Sequence, residues 1–123
     1  MSMEMRIEGQ RLLVVRIHGI LRQAEFKECQ RAAAKTIRAV GKIAALIVLD
    51  GFEGWDHRDE WGDMSFLFEH DNDIDKIAVA GEERRREEVL MFAGAGLRHT
   101  SVRYFDDPDS ARAWLAEPAG RGV

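Results

Sequence analysis

The chain has 123 residues, 46% of them apolar and 33% charged, with a net charge of -4 and one cysteine. That length folds as one domain around one core without a metal or disulfide staple, and Cys29 alone excludes an internal disulfide. The acidic balance argues against nucleic acid as a default partner and against simple attraction to an anionic membrane. No apolar run approaches the ~18 residues of a spanning helix, and the first residues carry no signal segment, so a cytoplasmic protein is expected.

Met3, Met5 and Ile7 alternate with Glu4, Arg6 and Glu8, the period-2 pattern of a half-buried strand. Gly9-Gln10 links it to a more apolar strand over Leu12 to Ile17, which together read as a hairpin with the first strand at the sheet edge. From Arg22 to Val40 the period changes. Phe26, Cys29, Ala33, Ile37 and Val40 share one helical face, and Gly41 is a terminator. Cys29 on that stripe reads as an inert core thiol. Ile43 to Leu49 is uninterrupted apolar sequence ended by Asp50-Gly51, which suits a central strand covered on both faces.

Lys76 to Ala80 reads as a short strand ended by Gly81. Glu82 to Ala93 reads as a helix with Val89, Leu90 and Ala93 facing the core, and its Arg84-Arg85-Arg86 run is balanced by Glu82, Glu83, Glu87 and Glu88. Thr100 to Phe105 alternates again, with Val102, Tyr104 and Phe105 as packing residues. Asp107 caps a last helix, Pro108 opens it, and Ala111, Trp114 and Leu115 form its buried stripe. The expected unit is a single α/β domain over residues 1–117, with a loose tail over 118–123. Its mixed sheet has about five strands, an antiparallel hairpin followed by parallel crossovers, and about four flanking helices. Strand order cannot be read from this pattern.

Within this order, "IVLDGFEGW" (Ile47 to Trp55), "WGDMSFLFEHDNDIDKIAVAG" (Trp61 to Gly81) and the closing strand with "ARAWL" (Ala111 to Leu115) resemble the SpoIIAA-like family of the STAS class. The resemblance covers about Met3 to Leu115. In the wider class it implies an anti-sigma-antagonist type of protein interaction, switched by phosphorylation of a serine in an Asp-Ser-Ser/Thr-Gly turn. The comparable stretch here is Asp50-Gly51-Phe52-Glu53-Gly54 and carries no serine, and nearby Ser65 is not a substitute. In the narrower family the resemblance implies a small lipid-carrier domain with an apolar cavity beside a mobile helix, and peripheral contact with a membrane.

Gly54 to Phe68 tests that implication. Projected on a helix starting near Gly62-Asp63, Trp61, Met64 and Phe68 cluster on one face with Leu67 on its shoulder, while Phe66 points away. A short helix docked on a sheet needs one apolar face, and apolar clusters beyond that mark partner surfaces, ligand grooves or membrane contacts. The reading is therefore a non-catalytic binding module, with Trp55, Trp61, Met64, Phe66, Leu67 and Phe68 holding an apolar or amphipathic ligand under a lid. The alternative is a regulatory protein-interaction module using the same helix, and a symmetric homodimer through the aromatic patch is a further expectation. Plain core packing of these rings competes with both.

No cofactor, metal or catalytic residue is expected. Asp71, Asp73, Asp75 and Glu82 fit a calcium loop in part, but its sixth place is Lys76 where glycine is required. His57 with Asp56, Asp59 and Glu60 lacks a paired-ligand motif and reads as a solvated polar loop.

Overall fold

In a computed structural model of the chain, the described residues are 3–9, 11–59, 61, 73–92 and 101–117. Strands β1 (Met3–Glu8) and β2 (Leu12–Leu21) form the expected hairpin, paired antiparallel from Met3 opposite Ile17 to Glu8 opposite Leu12. Helix α1 (Gln23–Val40) leads to β3 (Ile43–Trp55). After β4 (Ile74–Ala80), a single 3-10 turn (Glu83–Arg85) opens α2 (Arg86–Phe92), where the sequence suggested one helix from Glu82. Strand β5 (Ser101–Phe105) and helix α3 (Pro108–Leu115) close the fold. The helix expected from about Gly62 to Phe68, Ala93 and the tail over 118–123 lie outside the described residues.

The five strands stand in the order β1-β2-β3-β4-β5, with β2 to β5 mutually parallel. Crossovers between parallel neighbours are right-handed, so connections that always step the same way lie on the same face of the sheet. Helices α1 and α2 obey this and pack on one cluster, which includes Leu13, Val15, Ile17, Ala45, Ile77, Val79 and Tyr104. Helix α3 follows β5 and covers the opposite cluster of Val14, Leu46, Ala78, Ala80, Ala111 and Trp114. The continuous apolar run of β3 is thereby explained: Ala45 and Ile47 face α1 while Leu46 and Val48 face α3.

Helix α3 is fixed at both ends. Asp107 accepts from the Ser110 backbone N–H at 2.8 Å, the cap that the sequence indicated. At the other end, Lys76 Nζ of β4 donates to the carbonyls of Trp114 (2.8 Å) and Glu117 (2.7 Å), satisfying acceptors that a helix end leaves free.

Two expectations need correction. Strand β3 does not end at Asp50-Gly51 but runs on to Trp55, and β2 runs on to Leu21 beside it. In β1 only Met3 is buried, while Met5 and Ile7 are 39% and 42% exposed. They point to the α1 side, as do their partners Val15 and Leu13, but at the outermost strand they are only partly covered.

Candidate functional site

The extension of β3 places the first tryptophan. Against β2, the register slips once between Leu49 and Phe52 and once between Phe52 and Gly54, each time leaving one extra residue on β3. A side chain three places along a regular strand points to the opposite face, but one extra residue returns it to the same face. Leu49, Phe52 and Trp55 therefore all turn toward α1 and α2. Gly51 (φ 70°) and Gly54 (φ 107°) supply the left-handed backbone at these two bulges, which a side chain would strain.

Beyond Trp55 the chain makes a tied turn instead of the solvated loop that the sequence suggested. The Asp56 N–H donates to the Leu21 carbonyl at 2.9 Å, continuing the line of the sheet. The Asp56 carboxylate is buried and accepts from Arg58 Nη2 (2.8 Å), Arg58 Nε (3.1 Å) and the Arg58 N–H (2.9 Å), with Arg22 Nε at 3.0 Å. These donors, the Arg58 guanidinium foremost, hold it well below the usual carboxylate range. Asp59 reaches back to α1 and accepts from the Gln23 N–H at 2.8 Å, capping a helix whose own N-cap residue, Arg22, makes no side-chain cap bond. That bond and Arg22 Nε at 3.2 Å lower its pKa as well. Finally, the Trp61 indole N–H donates to the Asp56 carbonyl at 3.0 Å.

The two tryptophans meet through Phe92, at the end of α2. Its ring lies 5.0 Å from Trp55, 5.5 Å from Trp61 and 5.2 Å from Phe26 of α1, in tilted or edge-on geometries that aromatic quadrupoles favour. Phe52 stands edge-on to Trp55 at 5.1 Å, and the Arg85 guanidinium lies 5.3 Å from the Phe52 ring. Trp55 Nε1 and Arg85 Nε are buried without an acceptor among the described residues. Of the six side chains expected at the site, the structure thus brings Trp55 and Trp61 together. Met64, Phe66, Leu67 and Phe68 lie outside the described residues. Phe26 was legible only as a helix-face residue, and Phe52 and Phe92 carried no local signal at all.

Behind this group, between α1 and the sheet, is a cavity of about 120 Å³. Leu13, Val15 and Ala45 form part of its floor, Cys29 and Ala33 of α1 its roof, and Phe26 and Phe92 also line it. Gln30 is the sole side chain with strong hydrogen-bonding groups among the described lining residues. Burial pushes the Cys29 thiol up to about 12, so it stays protonated and unreactive at neutral pH, as the sequence suggested. Among the described residues, no three His, Cys, Asp or Glu side chains converge as metal ligands, and no helix is long and apolar enough to cross a membrane.

The profile of the SpoIIAA-like family matches residues 12–116. In structure, the chain is similar to an uncharacterized protein of the DUF3478 family with a SpoIIAA-like fold from Shewanella loihica PV-4. That likeness has a TM-score of 0.74 at 18% identity and covers 94% of each chain. It is also similar to the anti-sigma factor antagonist SpoIIAA in its unphosphorylated form, with a TM-score of 0.62 at 9% identity over 95% of this chain and 99% of that one. No protein of curated function matches in sequence. With β2 to β5 and the three described helices inside the matched span, the chain belongs to the SpoIIAA-like family.

Proposed function

We propose that the protein is a non-catalytic binding module that takes the apolar part of an amphipathic ligand into the cavity beneath α1. The observation that carries this reading is the cavity itself, about 120 Å³ of apolar-lined space between α1 and the sheet that is partly open to the surface. Interiors normally close such gaps, because each lining group gives up dispersion contacts across them. An apolar cavity of about 150 Å³ is enough to hold a benzene-sized group, whereas whole drug-sized ligands need roughly 300–1,000 Å³. The volume therefore suits a tail or a ring, with the rest of the ligand emerging past Phe26 and Phe92. Trp55 and Trp61 stand beside that exit, with Met64, Phe66, Leu67 and Phe68 proposed as the remaining lid, and the indole N–H of Trp55 is a donor for the ligand's polar end. Peripheral contact with a membrane is the proposed route of loading.

The test is a fluorescence titration of a Trp114→Phe variant with decanoate. Trp114 lies on the far face, so the variant reports on Trp55 and Trp61 alone. Saturable change in emission, with decanoate retained in native mass spectrometry, is the expected outcome. A flat titration and a bare mass would exclude an acyl-type ligand.

A second reading, a regulatory protein-interaction module, is favoured by the fold shared with SpoIIAA and by Met91 of α2, which is 82% exposed. A serine switch has no place at the comparable stretch: Asp50 to Gly54 carries none and lies within β3, with Phe52 buried in the core. A Met91→Glu variant that loses a protein partner but still binds decanoate would separate the two readings.

A further inference from the structure

We propose that β1 is a self-complementary edge through which two copies of this chain pair, joining their sheets about a two-fold axis at Met5. Among the described residues the strand lies at one end of the sheet, with no further strand beside its outward backbone groups. Two large apolar side chains, Met5 and Ile7, stay 39% and 42% exposed on its α1 side. On the α3 side it carries Glu4, Arg6 and Glu8.

Symmetry limits how two such strands join. Antiparallel pairing about an axis perpendicular to the sheet keeps each face continuous and sets residues of the same face opposite each other. Only alternate registers then remain. With Met5 opposite its copy, Glu4 stands opposite Arg6 at both ends, and Met3 opposite Ile7 at both ends. With Glu4 opposite its copy, two carboxylates collide. With Arg6 opposite its copy, two guanidiniums collide, and Glu4 meets Glu8. With Ile7 opposite its copy, Arg6 meets Glu8, but Met5 falls on the Gly9 turn and the ladder shortens. Opposite charges across a ladder stabilise it and like charges oppose it, so the Met5 register is selected.

The neighbouring charges permit that register. Glu8 is held by Arg112 at 2.7 Å and by Arg6 at 2.6 Å. Arg16 of β2, opposite Glu4, is engaged by Asp50 at 2.5 Å. Arg6 is 62% exposed at its side chain and has further N–H donors for the partner's Glu4. The apolar pairs on the other face cover Met5 and Ile7, which α1 leaves partly bare. This pairing is independent of any ligand.

Sedimentation equilibrium of the full chain over a concentration series tests it. The wild-type chain is expected to show a reversible monomer–dimer equilibrium. Glu4→Arg or Arg6→Glu alone sets like charges opposite each other twice and weakens the dimer about tenfold or more. The double variant Glu4→Arg/Arg6→Glu restores it, which also shows that the exchanged residues do not impair folding. In a Cys29→Ala background, Met5→Cys is expected to form a disulfide between copies under mild oxidation, and Ile7→Cys is not. A monomer at every concentration, a dimer indifferent to the single reversals, or a double variant that stays as weak as the single ones would each overturn the proposal.

Discussion

The two faces of the sheet solve the same packing problem differently. On the α3 side the contacts are small: Ala78, Ala80 and Ala111 are sealed to 1% exposure or less, so the helix lies close to the strands. Polar fasteners hold it there, namely the Asp107 cap, Lys76 on the terminal carbonyls, and the Glu8–Arg112 pair. On the α1/α2 side a group of rings, Phe26, Trp55 and Phe92, stands beside a partly open cavity lined mainly by aliphatic residues, so that face leaves space unfilled. A helix anchored by small residues and polar ends has one position. A face that leaves a cavity beside its rings is where the proposed binding role would lie.

Substitutions of matched size sharpen this contrast. Trp114→Ala should have the largest effect, removing the main apolar contact of α3 at a cost of about 3–5 kcal/mol in denaturant unfolding. Next, alanine is exchanged for leucine on each face. Ala111→Leu overpacks a sealed contact and should cost about 1–3 kcal/mol. Ala33→Leu grows into the cavity and should cost less or even stabilise, while abolishing decanoate binding. Equal penalties at the two sites would erase the distinction between the faces.

Gly81→Ala probes how tightly β4 and β5 meet the end of β3. A Cβ there would stand 2.6 Å from the Tyr104 hydroxyl and 3.0 Å from Leu49 Cβ, while that hydroxyl is held by the Glu82 carbonyl at 2.7 Å. A cost of about 1–3 kcal/mol is expected, smaller if the tyrosine can give way.

Two smaller effects concern the polar ties. Asp59→Ala uncaps α1 and should lower Tm by a few degrees, with Arg22→Ala lowering it less, since Arg22 supports the same turn without giving the cap. Glu8 is the acid-sensitive fastener on the α3 side. Its hydrogen bonds from Arg112 and then Arg6 lower its pKa from 4.5 to about 2. The folded state thus favours the ionised form, so the pair's contribution is complete above pH 4.5 and is lost as the pH falls through about 2. A Glu8→Gln variant should show a shallower fall in stability across that window, and identical pH profiles would show that the pair contributes nothing.

Much of the scaffold was legible in the chain, because its signals are local. Alternation announced the hairpin, a 3.6-residue stripe announced α1, and Asp107-Pro108 announced α3 within a residue. The site was only half legible. Trp55 and Trp61 stood out by composition, but their meeting point, Phe92, is thirty-odd positions away and looked like any residue of a charged helix. The end of β3 was missed because glycine usually signals a stop, and here Gly51 and Gly54 are bulges inside a continuing strand.

Residue order by itself determined the element types and the buried stripe of each helix, since backbone preference and apolar period act over a few neighbouring positions. The tertiary structure alone decided which rings meet, that Asp59 caps a helix thirty-six residues earlier, and that the edge strand keeps two apolar side chains partly bare. Those outcomes depend on how sheet and helices stack, and stacking joins residues that share no local pattern.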